Sequence, residues 1–273
     1  MALNAMVWPK VARGDAILPH APRSPVPWGS LGALLAVCGT ALGIGAAFGR
    51  SAPTELEALD LFGAGVMELV MLAAVVGVVM LKHRPTYADW GLPAARDEAL
   101  ADILLGLAVG CFALVPVMGL QVMMVQLFGE SEHPLLQGLV RDHDPLLFVA
   151  ALFLAAIVAP LFEEFAYRLL FQGWLEKELV QPVIDVSVGA EAPLESPPAG
   201  VQWTPIAVSS IAFALAHAAH GVDPIALLPL AVLLGYVYQR THRILPTIVA
   251  HAAFNSFSLA ALWVQLQGVG IEP

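Results

Sequence analysis

A polytopic all-α transmembrane helical bundle is the fold class that this 273-residue sequence predicts, and three observations predict it. Hydrophobic residues make up 59% of the chain and charged residues 12%, with a mean hydropathy of +0.78, whereas soluble domains carry about 25% charged residues. Apolar runs recur at the ~20-residue length that crosses the hydrocarbon core of a bilayer. The basic residues collect on one side of the spans so drawn, as membrane insertion requires.

Taken in order, residues 1–28 hold Lys10, Arg13 and Arg23 among several prolines and read as a disordered cytoplasmic tail. The first long apolar run begins only near Leu31, late for a cleaved signal peptide, so an uncleaved first span is expected. Spans are expected at 29–49, 61–81, 99–128, 146–172, 202–220, 223–240 and 244–267. That gives seven, with room for an eighth if the long third run breaks near Pro116 into a helix and a re-entrant piece. Residues 29–84 then form an N-terminal pair of transmembrane helices and 85–267 a membrane-embedded core.

Lys10, Arg13, Arg23, Lys82, Arg84, Arg96, Arg168, Lys177, Arg240 and Arg243 fall on one side of this arrangement, and only Arg50 and Arg141 on the other. The bias places the N-terminus in the cytoplasm and the protein, multi-pass, in the inner or plasma membrane. The 82–97 segment reads as a cytoplasmic turn with Trp90 near the interface and a new helix behind Pro93. Residues 181–200, rich in proline and acids, read as a flexible cytoplasmic loop. Most acidic residues behind the net charge of -10 lie in tails and loops, which speaks for solvated connections and against a nucleic-acid partner. Cys38 and Cys111 lie singly in apolar runs, so neither a disulfide nor a thiolate metal site is supported.

Against this background the polar residues within the spans stand out. A charge at the bilayer centre costs ~2.5–3.5 kcal/mol on insertion scales and marks a functional site by default. Glu163, Glu164 and Arg168 share the fourth span. Glu164 and Arg168 are four apart with the acid first, the favoured order for a pair on one helix face. Glu163 points about 100° away, with Tyr167 as its neighbour one turn on and no cation nearby in sequence. The fifth span carries Phe213 and His217 on one face, followed by His220, and the seventh carries His251 and Asn255. Intramembrane polar groups face the bundle interior and each other, so the acids, histidines and asparagine are expected to meet in one cavity. Glu68, in the second span, has no partner at helical spacing and reads as a single satisfied polar group.

A carboxylate, imidazoles and a carboxamide in one wet pocket are the parts of a hydrolase that activates water. The carboxylate serves as general base. Histidine can share the water, bind a metal or donate to a developing oxyanion, and asparagine suits an oxyanion hole. Ser209, Ser210 and Ser256 lack a Gly-x-Ser-x-Gly setting, and there is no His-Glu-x-x-His or Gly-x-Gly-Asp. A transporter or proton-coupled channel using the same groups as a relay, and a non-catalytic immunity or scaffold protein, stay open as alternatives.

Three motifs carry a resemblance. Glu163 to Arg168 is similar to Glu-Glu-x-x-x-Arg, Phe213 to His217 to Phe-x-x-x-His, and His251 to Asn255 to His-x-x-x-Asn. In that order they resemble the CPBP family, the CAAX-protease and bacteriocin-processing (Abi) intramembrane proteases, over about residues 85–265 including Trp90-Gly91-Leu92. The resemblance implies an integral-membrane endopeptidase acting on a prenylated or other membrane-associated peptide substrate. It implies that Glu163 and His217 activate water, that His251 and Asn255 form the oxyanion hole, and that Glu164 and Arg168 hold the site together. Phe213 and Tyr167 support it. Whether such enzymes are metalloproteases or glutamic-type is open; if a metal is bound, Zn2+ on Glu163, His217 and His251 is the expectation, and otherwise no cofactor. One difficulty follows from helix rise: His217 lies roughly 22 Å along its span and His251 about 10 Å along its own. The two depths agree only if the helix-five and helix-six hairpin is shifted toward the cytoplasm.

Overall fold

The computed structural model describes residues 18, 21, 25–30, 32–34, 37–39, 56–129, 134–180, 201–218 and 223–269, and among them the regular structure is helical with no strand. The helices are α1 (Ala58–His83), α2 (Arg96–Phe128), α3 (Pro134–Asp142), α4 (Pro145–Leu179), α5 (Trp203–Ala216), α6 (Asp223–Thr241) and α7 (Leu245–Val269). A 3₁₀ turn at Ala88–Trp90 joins α1 to α2.

Four of these helices, α1, α2, α4 and α7, are long and apolar enough to cross a membrane. The expected count of seven or eight is not reached among the described residues. The predicted span 29–49 lies largely outside them. Span 202–220 becomes α5, a 14-residue helix only ~21 Å long, short of the ~30 Å hydrocarbon core. Span 223–240 becomes α6, which ends in Gln239 and Arg240 and packs beside α5 and α2. The run around Pro116 is one continuous 33-residue helix with the proline inside it, as neighbouring helices allow in a membrane. Large apolar side chains such as Val70, Leu81, Leu104 and Val115 face outward from α1 and α2, which suits lipid rather than water.

α2 and α7 lie along each other because α2 presents glycine at the contact. A Cβ on Gly106 would come within 2.6 Å of Val249, and one on Gly110 within 2.5 Å of the Ala250 carbonyl. Small residues let helix backbones approach this closely. Leu230, Leu234, Ala250 and Phe254 fill the core between α2, α6 and α7. A second cluster around Leu61, Leu147, Leu154 and Leu259 joins α1, α4 and α7.

Within the 82–97 turn most residues are exposed, while Trp90 and Gly91 pack against the bundle. Gly91 adopts φ +62, and its carbonyl accepts from Ile244 N at 2.9 Å. A Cβ there would stand 2.6 Å from the His242 carbonyl, so glycine is required by conformation and by space alike. Trp90 stacks on Phe165 at 5.7 Å and lies 6.2 Å from Trp28.

The described residues of the predicted disordered tail are docked instead. Val26 and Trp28 are buried in the core cluster of Phe165, Tyr167, Leu170 and Phe213. Trp28 Nε1 donates to the Leu170 carbonyl at 3.1 Å, Lys177 Nζ to the Trp28 carbonyl at 3.2 Å, and Arg240 Nε to the Leu18 carbonyl at 2.9 Å. A large aromatic ring supplies the apolar area that the proline-rich composition concealed. Lys10, Arg13, Arg23, Arg50, His220 and the 181–200 loop lie outside the described residues.

Candidate active site

The Glu-Glu pair sits on a six-residue α-helical piece, Ala159–Glu164, set between π-helical stretches Leu152–Val158 and Phe165–Gln172 of α4. Wide π turns inside an α-helix recur at functional sites. The local cause is visible in the backbone. The Ala159 N–H bonds the Leu154 carbonyl five residues back, and Pro160 has no N–H to give. Ala155 is thereby left with a free carbonyl, and Asn255 Nδ2 of α7 donates to it at 2.6 Å.

Glu164 is fully enclosed with both oxygens engaged. Oε2 accepts from Arg168 Nε at 3.2 Å, and Oε1 accepts from His251 Nδ1 at 3.0 Å. Thr247, buried one turn before His251 on α7, donates its hydroxyl to the Ile244 carbonyl at 2.8 Å. Arg168, also fully buried, holds its guanidinium 5.1 Å from the Phe213 ring centre. Its terminal nitrogens have no hydrogen-bond partner among the described residues, so Glu164 and the ring face balance the charge. Tyr167 and Phe213 meet edge to face with ring centres 5.4 Å apart.

Glu163 points elsewhere, as one residue's helical rotation demands. Its Oε1 stands 3.9 Å from His217 Nε2 and its Oε2 3.9 Å from His251 Nε2. These gaps are too long for direct hydrogen bonds. A gap of that length is one that a water about 2.8 Å from both atoms of a pair would bridge. The imidazoles are oriented from behind: His217 Nδ1 meets the Phe213 carbonyl at 3.0 Å and His251 Nδ1 meets Glu164. A carbonyl only accepts, so His217 carries its proton on Nδ1 and turns a lone pair toward Glu163. The Phe213 ring spaces the two imidazoles, 5.0 Å from one and 5.6 Å from the other.

His217 is the C-cap of α5, so the short helix ends where the site begins. The expected mismatch in depth therefore disappears. It assumed that the helices start in one plane, but Gln202 ahead of α5 bonds Gln239 near the end of α6, while α4 runs on past Glu176, which meets His242 beyond α6. Glu163, Glu164, Tyr167, Arg168, Phe213, His217 and His251 are all brought together. Asn255 sits one turn from His251, held by the Ala155 carbonyl. Ser209 and Ser256 have hydroxyls tied to the backbone carbonyls of Ile206 and Ala252.

Of this neighbourhood, Thr247 was missed in the sequence and Glu68 was read differently. Thr247 follows the same four-residue spacing as His251 and Asn255 along one face of α7, and that series was the available signal. Glu68 is buried on α1, and its Oε2 has no hydrogen-bond partner among the described residues, so it is not the satisfied group expected.

Two imidazole nitrogens and a carboxylate are chemically suited to zinc, and both rings have partners at Nδ1 of the kind that orient metal ligands. The spacing is not suited. Bonds of ~2.1 Å in a tetrahedral site place ligand atoms about 3.4 Å apart, against 3.9 Å from Glu163 to each ring. No group of three metal-capable side chains among the described residues is close enough to hold an ion. The residues as placed do not fit a metal.

Residues 145–257, less than half of the chain, match the family model described as type II CAAX prenyl endopeptidase Rce1-like. No curated protein and no solved structure matches the chain. The matched stretch contains the Glu-Glu-x-x-x-Arg, Phe-x-x-x-His and His-x-x-x-Asn motifs, whose side chains are the ones that converge around Glu163. Residues 145–257, and with them the helices that build this site, therefore belong to the CAAX-protease (CPBP) family of membrane endopeptidases.

Proposed function

We propose that the protein is an intramembrane endopeptidase that hydrolyses a peptide bond of a prenylated or otherwise membrane-associated peptide by water activated at Glu163. The observation that carries this reading is the unequal use of two adjacent acids. Glu164 has both oxygens committed to Arg168 and His251, whereas both oxygens of Glu163 face imidazole Nε2 atoms across 3.9 Å gaps. A water in those gaps donates one hydrogen to Glu163 and the other to His217 Nε2, and its lone pair is directed at a substrate carbonyl. His251 donates from Nε2 to the developing oxyanion when its ring carries both protons, a form whose charge the Glu164 carboxylate neutralises. Asn255 has a second amide hydrogen besides the one held by Ala155, and this supports its role beside His251 in the oxyanion hole. Protonated Glu163 then passes its proton to the leaving amine.

The reaction takes place in the membrane, with lipid as the surrounding partner and a peptide as substrate. The end of the bundle that carries Lys82, Arg84, Arg96, Lys177, Arg240 and Arg243 is assigned to the cytoplasm by its basic bias. That places the described N-terminal residues on the cytoplasmic side of an inner or plasma membrane.

In proteoliposomes, the wild type is expected to release the three C-terminal residues of a farnesylated CAAX peptide. Glu163→Gln and His217→Ala should each lower kcat by about 10²–10⁴-fold, the range for a general base, with thermal stability retained. Full turnover in a folded Glu163→Gln protein would sink the assignment.

A further inference from the structure

α1 contributes nothing to the matched family segment, yet it forms one wall of the site. Its inward stripe runs Leu61, Gly65, Glu68 and Val79. At Gly65 the helix approaches the first π-helical stretch so closely that a Cβ would stand 2.7 Å from Phe153. One turn beyond Glu68, Leu72, Val75 and Val76 pack on the cluster that contains Phe165 and Phe213. Glu68 therefore lies on the part of α1 that packs along the Leu152–Val158 and Ala159–Glu164 stretches of α4.

The side chain is 7% exposed, and Oε2 is enclosed with no hydrogen-bond partner among the described residues. A buried acceptor left unpaired is costly, because it has given up its hydrogen bonds to water and gained none in return. An extended peptide entering the same dry interior has the complementary problem, since its backbone N–H groups lose water and need acceptors. The imidazoles and Asn255 supply donors for a substrate carbonyl, and Glu68 Oε2 supplies an enclosed acceptor for a substrate amide.

We propose that Glu68 is a substrate-positioning residue: its carboxylate accepts a backbone N–H of the bound peptide and holds the scissile carbonyl over Glu163. This rests on the endopeptidase reading above. Glu68 holds the peptide alike in the ground and transition states, so it acts on KM more than on kcat.

The test uses the full chain in proteoliposomes with a farnesylated fluorogenic CAAX peptide. Glu68→Ala should raise KM by up to about 10-fold, the order for one hydrogen bond, with kcat within about threefold. Glu68→Gln, which keeps the shape and one carbonyl acceptor, should recover most of that loss. An unchanged KM in Glu68→Ala, or equal losses in the Ala and Gln variants, would overturn the assignment and leave a packing residue. A second measurement does not need turnover: affinity of the same peptide for Glu163→Gln protein, with and without Glu68→Ala, read by fluorescence anisotropy. A matching weakening supports the role of Glu68, while unaltered affinity or no binding overturns it. Failure of the wild type to cleave, with binding intact and sensitive to Glu68, would refute the hydrolytic reading alone.

Discussion

Adjacent glutamates in one helix have been given opposite environments by a single residue's rotation. Glu164 is an internal anion whose two oxygens are bound by Arg168 and His251, and Glu163 is an acid whose oxygens face the Nε2 atoms of His217 and His251 across 3.9 Å gaps. The consequence for substitution is a double dissociation. Removing one member of a buried ion pair strands the other charge and costs about 3–5 kcal/mol, so Arg168→Ala should be destabilised by that order in chemical denaturation. Glu163→Gln should be close to wild type in the same experiment while losing turnover. Similar stability for the two variants would contradict the roles drawn from the geometry. The donor set also bears on metal content: with edges of 3.9 Å, purified protein is expected to turn over without stoichiometric zinc and to tolerate chelator. Elemental analysis that finds one zinc per chain, lost together with activity, would show that the side chains close around an ion.

At the scale of the element, a proline follows the first π-helical stretch of α4. Pro160 withholds the N–H that Ala155 would take in a π turn, and Asn255 satisfies the orphaned carbonyl from α7 at 2.6 Å. Asn255 thus ties two site-bearing helices together irrespective of any role toward substrate. Asn255→Ala should lower stability by about 1–3 kcal/mol, the cost of leaving a buried acceptor unpaired. Asn255→Asp, which removes the donor, should not rescue it; equal stability of wild type and Asn255→Ala by thermal unfolding would show that the Ala155 bond is dispensable. The short α5 has a related logic. Its 14 residues end at His217, which converts a helix terminus into a side-chain position deep in the bundle.

Over the whole molecule, the N-terminal segment closes the basic end of the bundle. Trp28 is fully buried and bonds the Leu170 carbonyl, and His242 is held between the Ala21 carbonyl at 2.6 Å and Glu176 at 3.2 Å. Replacing a buried large aromatic by alanine costs about 3–5 kcal/mol. Trp28→Ala should therefore lower the unfolding transition by that order and loosen the turn at Trp90, with intrinsic fluorescence of Trp90 shifting to the red. A variant as stable as wild type would mean that the segment docks without contributing to the fold.

The sequence alone determined the helical class, the membrane setting and the identity of the polar cluster. Charges inside apolar runs are too costly to be incidental, and spacings of four residues fix which side chains share a helix face. Glu164 with Arg168, Phe213 with His217 and His251 with Asn255 were legible for that reason. Only the tertiary structure decided how separate helices are set against one another. The short reach of α5, the packing of Trp28 and Trp90, the Asn255 bond to Ala155 and the burial of Glu68 where α1 meets α4 all depend on contacts between residues tens to hundreds of positions apart. Periodicity is a property of one helix, whereas depth, tilt and the pairing of a buried acid are set by neighbours that no local pattern names.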